Sequence, residues 1–131
     1  MIAAGDIRRV GAGGAERLVL VLKVLPERSS AQITLIHPYI EYATPSDIVV
    51  GPSESGVRYD IVAQPALRGV VRLDDLGPLV CTVPADVVDA CLSPVPGSAR
   101  SITVLDARWE FKQSERADLW RVCSNYFEEY A

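Results

Sequence analysis

Apolar and polar positions alternate in short runs over the first two thirds of the chain, and each run is closed by Gly, Pro, Ser or Asp. The runs are "DIRRV" (6–10), "RLVLVLKVL" (17–25), "AQITLIH" (31–37), "DIVV" (47–50), "RYDIVAQ" (58–64), "GVVRL" (69–73) and "PLVCTV" (78–83). Val and Ile dominate them, so they read as strands, with turns at "GAGG", "PERSS", "TPSD", "GPSESG", "QPALRG" and "DDLGP". Many short strands at close spacing predict a compact, strongly curved sheet or small barrel. Alternation within "AQITLIH" puts Ile33, Leu35 and His37 on one face and Thr34 and Ile36 on the other.

The texture turns helical at Pro84. "PADVVDACL" has proline and acids at its start, both favourable in a first helical turn, and Val87, Val88 and Cys91 recur at helical spacing. "SPVPGSAR" (93–100) reads as a loop and "SITVL" (101–105) as a further strand. Although Trp109 and Phe111 alternate as a strand would, Asp106 is placed to cap a long helix running to the C-terminus. In it Leu119, Trp120, Val122, Cys123, Tyr126, Phe127 and Tyr130 form one broad apolar stripe expected to dock on the sheet. The fold class is therefore mainly β with C-terminal helices. The 131 residues form a single domain, divided into a barrel over 1–92 and a strand and helix extension over 93–131.

Composition fits this picture: 49% of residues are hydrophobic and 23% charged, as in a folded globular chain. No apolar run reaches membrane-spanning length, and "MIAAGDIRR" lacks the basic-then-apolar order of a secretion signal. The expectation is a cytoplasmic protein with no membrane association. Cys81, Cys91 and Cys123 lack the spacing of a disulfide framework or zinc site and read as small buried hydrophobes.

Candidate chemistry is sparse. "VGAGG" (10–14) is neither GxGxxG nor GK[ST] and reads as a hairpin loop. Asp74 and Asp75 read as a solvated turn, so no metal or other cofactor is expected. His37 is the lone histidine and stands directly before Pro38. The net charge of −4 is concentrated after residue 80, and nearly all basic residues before it are arginines, suited to two-pronged recognition of phosphate or carboxylate. Arg8, Arg9, Arg17, Arg68 and Arg72 come from four β-type segments that a small barrel can bring together.

The order of elements in "YDIVAQPALRGVVRLDDLGPLVCTVPADVVDACL" (59–92) resembles the C-terminal half of PemK/MazF-family toxins. "GDIRRV…RLVLVL" resembles their first two strands, and "ITLIHPYIEYATPSD" the following strand and active-site loop, so the resemblance spans about residues 5–92. "DARWEFK" onward looks like a helical extension found in some actinobacterial members. The resemblance implies an SH3-like barrel that dimerises. It also implies a metal-independent endoribonuclease that cuts single-stranded RNA through the RNA's own 2′-hydroxyl, with an antitoxin or another protein as partner.

Arg17, at the head of "RLVLVL", matches the family's arginine, although Leu18 follows it where proline is usual. The hydroxyl residue expected two places after Pro38 is Ile40, with Thr44 and Tyr39 the nearest substitutes. Internal attack on a phosphodiester needs proton transfer and charge stabilisation. Arg17 is assigned the charge and His37 the proton, with Glu41 as another base, while Arg8, Arg9, Arg68 and Arg72 line the RNA groove. The alternative is a catalytically inactive MazF-like barrel serving as a protein-binding or structural assembly module, favoured by the acidic balance and by Ile40.

Overall fold

The computed structural model describes residues 1–12, 14–52, 57–93, 107–123 and 127–129. Seven strands appear among them: β1 (Asp6–Ala12), β2 (Ala15–Leu25), β3 (Ser30–His37), β4 (Ile48–Val50), β5 (Ile61–Arg72), β6 (Leu79–Thr82) and β7 (Phe127–Glu129). The first six form one curled antiparallel sheet in the order β4-β5-β3-β2-β1-β6, and β7 pairs with β5. Two helices, α1 (Ala85–Leu92) and α2 (Ala107–Val122), cover it.

Period-two alternation builds the sheet's two faces. One face carries Val10, Val19, Val21, Ile33, Leu35, Leu67 and Val71 and is closed by Leu119, Val122 and Cys123 at the C-terminal end of α2. The other carries Ile7, Leu20, Leu22, Ile36, Val50, Ile61 and Ala63 and is closed by Val87, Val88 and Cys91 of α1. Full burial of each such side chain stabilises the fold by roughly 1.5–3 kcal/mol before ordering costs. The "GAGG" hairpin behaves as expected: Ala12 pairs with Ala15, and Gly14 takes a left-handed backbone at φ +95°. Asp74 and Asp75 lie in an exposed turn.

Three expectations are corrected. The runs 58–64 and 69–73 are not separate strands, because β5 continues through "QPALRG". Pro65 supplies no N–H to a ladder, and it is accommodated where the β3–β5 register shifts between Thr34 and Ile36. The Thr34 hydroxyl reaches the Gln64 and Leu67 carbonyls there, at 2.5 and 2.8 Å. Secondly, the last helix stops at Val122, and Phe127–Glu129 is a strand against Leu67–Gly69. Thirdly, the apolar stripe is narrower than expected. Trp120 is 54% exposed, while the buried residues of α2 are Lys112, Glu115, Leu119 and Val122, two of them charged. The expected strand 101–105, Asp106, Tyr126 and Tyr130 lie outside the described residues.

Gly69 shows why one glycine is needed in β5. A Cβ there would collide with the Cys123 sulfur and press on Leu119, so the missing side chain lets the end of α2 seat directly on the strand. Burial pushes the Cys91 thiol up to about 11 and the Cys123 thiol up to about 12, which leaves both as inert packing groups. No helix of the described residues is long and apolar enough to cross a membrane.

Candidate active site

Register brings two of the sequence-derived residues together. Leu18 pairs with Ile36 in the antiparallel β2–β3 ladder, so Arg17 and His37 stand across from each other at the next position. Alternation turns both toward the α2 side, in line with Val19 and Leu35. They line a cleft of about 340 Å³ together with Leu18, Tyr39, Tyr59 and Phe111.

The other arginines do not share it. Arg68 is buried on the opposite face, donating to the carbonyls of Pro65 and of Cys91 at the end of α1. Arg8 binds Asp6 at 3.0 Å and the Gly77 carbonyl at 3.1 Å. Arg72 is exposed at the far end of β5, 3.6 Å from Asp75, and Arg9 is exposed on β1. The expected convergence of five guanidinium groups on one concave surface is therefore not seen. They alternate between faces and lie at different ends of long strands.

Arg17 is already occupied. Its Nη1 and Nη2 donate to Glu115 Oε2 and Oε1 at 2.8 and 2.6 Å, a two-pronged carboxylate pair. Nη1 also reaches Asp118 Oδ2 at 2.5 Å, and Nη2 the Ile36 carbonyl at 3.3 Å. Burial alone would lower the guanidinium's pKa, but the two carboxylates outweigh it and hold the value above normal.

The network continues inward. Glu115 Oε1 accepts from buried Gln64 Nε2 at 2.8 Å, and Gln64 Oε1 accepts from Lys112 Nζ at 2.8 Å. Lys112 Nζ then meets Asp47 Oδ1 at 2.7 Å, in a pair whose side chains are 3% and 0% exposed. Burial pulls the Lys112 pKa down despite Asp47 and Glu115. Asp47 also accepts the Thr44 N–H at 2.9 Å, while the Thr44 and Ser46 hydroxyls bond each other at 2.9 Å. Thr44 is thus committed to its own turn.

His37 is 5% exposed. Its Nδ1 accepts the Tyr39 N–H at 3.1 Å, so the neutral ring carries its proton on Nε2, the buried side-chain atom without a hydrogen-bond partner among the described residues. Burial lowers the imidazole's pKa against the pull of Glu115 and Asp47. The ring packs edge-on against Phe111, with centroids 4.6 Å apart, and Phe111 stacks on Tyr42 at 4.5 Å. Tyr39, Ile40 and Glu41 are exposed beside this cluster.

Gln64, Lys112, Glu115 and Asp118 escape a reading based on apolar patterning, because charged helix positions read as solvated. One signal does point to Lys112 and Glu115. Positions 112, 115, 119 and 122 recur at spacings of three and four, so Lys112 and Glu115 continue the face of Leu119 and Val122.

No protein-family model matches the sequence, and no curated protein is significantly similar to it. Solved structures do match in fold. An endoribonuclease in complex with its cognate antitoxin from a mycobacterial species aligns over 70% of this chain and 91% of its own, with TM-score 0.57 and 13% identity. The Mycobacterium tuberculosis toxin MazF-mt6 aligns over 75% of this chain and 98% of its own, with TM-score 0.54 and 16% identity. The curled sheet, with its two helices, has the fold of the PemK/MazF-like toxins.

Proposed function

We propose that this chain is a MazF-like toxin that cleaves single-stranded RNA without a metal cofactor, as a cytoplasmic homodimer controlled by an antitoxin-type protein partner. The observation that carries the reading is the placing of Arg17 opposite His37 at the mouth of an aromatic cleft on a MazF-type sheet. In the reaction the RNA 2′-oxygen attacks the adjacent phosphorus and the 5′-oxygen leaves. The products are a 2′,3′-cyclic phosphate and a 5′-hydroxyl. The proton lost by the 2′-hydroxyl balances the one gained by the leaving oxygen, so no co-substrate is consumed. Arg17, once its fork is released from Glu115 and Asp118, offers two parallel N–H groups to the charge that builds on the phosphoryl oxygens. His37 is assigned the proton: its Nδ1, once released from the Tyr39 N–H, takes it from the 2′-hydroxyl, and the imidazolium so formed returns it to the leaving 5′-oxygen, so the ring ends neutral. Exposed Arg9 and Arg72 contribute attraction for the RNA backbone rather than contacts at the reacting phosphate.

The test is incubation of the purified full chain with a long single-stranded RNA in EDTA, followed by mapping of the cut ends. Fragments ending in cyclic phosphate, abolished by Arg17→Ala, are expected. RNA that stays intact at high protein concentration overturns the ribonuclease reading.

A further inference from the structure

Helix α2 meets the sheet in two chemically different zones. From Leu119 onward it is anchored by apolar packing on Val10, Val19, Leu67 and Val71, with Cys123 seated over Gly69. Over Phe111–Asp118 the inward contacts are instead one aromatic ring and charged side chains. A helix segment serving only to close the core would bury apolar groups here, because a buried ion pair gains little over a hydrophobic replacement.

The positions of these groups are informative. Glu115 presents two oxygens to the Arg17 fork as a phosphate would, and Asp118 adds a second anion. Phe111 lies against His37 and stacks on Tyr42 with interplanar angle 6°. Aromatic faces next to a cationic fork are what single-stranded nucleic acid uses, with bases on the rings and phosphates on the cation.

We infer that residues 111–118 of α2 stand in for a nucleotide, with Glu115 and Asp118 on Arg17 in place of a backbone phosphate and Phe111 against His37 and Tyr42 in place of a base. This rests on the RNA-cleaving reading and names what regulates that same site. RNA and α2 compete for Arg17, so the free chain is held in a covered state. Uncovering Arg17 also parts Lys112 from buried Asp47, which makes the covered state the stable one. The anchor at Leu119–Cys123 keeps the displaced segment attached, so that the cover is recovered when the RNA leaves.

The test compares the full chain with Glu115→Gln/Asp118→Asn and with Asp118→Asn alone. The single change alters a partly exposed residue and leaves the Glu115 fork in place. The probe is a single-stranded 2′-O-methyl oligonucleotide, which cannot be cut, and thermal unfolding verifies that each variant is folded. The double variant is expected to bind about tenfold more tightly, with a steeper salt dependence, and the single variant to bind by an intermediate amount. Unchanged affinity in both folded variants overturns the inference, and the single variant decides the matter if the double one fails to fold. Cleavage of ordinary RNA separates the two ideas. Tighter binding with no cleavage in any form keeps the cover and removes the ribonuclease. Equal binding and equal cleavage in all forms keeps the ribonuclease and removes the cover.

Discussion

The two helices cover opposite faces of one sheet and do so by different means. Helix α1 buries Val87, Val88 and Cys91, and Arg68 donates to the carbonyl of Cys91 near its end and to that of Pro65. Helix α2 buries Leu119 and Val122 at one end and Lys112 and Glu115 at the other, where Arg17 ends on carboxylates. An arginine on backbone carbonyls, one of them at a helix C-terminus, is a fixed structural pin. An arginine on side-chain carboxylates is a pair that another anion can replace. The difference separates a cover that is part of the core from one that masks a site.

That contrast can be broken in order of expected effect. Lys112→Ala should destabilise the protein most, by roughly 3–5 kcal/mol, because it leaves Asp47 buried without its cation. Chemical denaturation measures it. A loss below about 1 kcal/mol would mean that the polar zone is loosely held. Leu119→Ala should cost about 2–4 kcal/mol by opening a cavity over Val19 and Leu67, and should loosen the anchor rather than the arginine contacts. Arg68→Ala should cost about 1–3 kcal/mol by stranding the carbonyls of Pro65 and Cys91, with no effect on oligonucleotide affinity. An affinity change as large as that from the Glu115 and Asp118 substitutions would erase the distinction between the two arginines.

The smallest effect sharpens the comparison through pH. Burial favours neutral His37, opposed by Glu115 and Asp47 and assisted by Lys112 and Arg17. The unfolded imidazole takes up a proton as the pH falls through about 6.5, while the folded one resists to a lower value. Stability therefore declines as the pH drops below about 6.5. With one histidine in the chain, His37→Gln should remove that part of the slope in denaturation curves taken at several pH values. A slope unchanged by the substitution would show that the ring is not held neutral.

Much of the α1 side was legible in the sequence, because apolar alternation and a Val87, Val88, Cys91 stripe express the same physics that folds it. The pairing of Arg17 with His37 was half legible. Alternation gave each its face, but only the ladder register makes them neighbours. Pro65 misled because a proline ordinarily ends pairing, and its tolerance depends on a register shift between two distant segments. Glu115 and Lys112 were hidden by their charge. Their burial depends on partners far away in sequence, at Arg17, Asp47 and Gln64, which local periodicity does not reveal.

The most direct test of the whole account is the rate at which Glu115→Gln/Asp118→Asn cuts single-stranded RNA in EDTA, measured beside the unmodified chain and the same variant carrying Arg17→Ala. The account predicts cyclic-phosphate ends that accumulate faster once the two carboxylates are neutralised and that disappear when Arg17 is removed. RNA left whole by the uncovered protein, or cut equally well without Arg17, would contradict it.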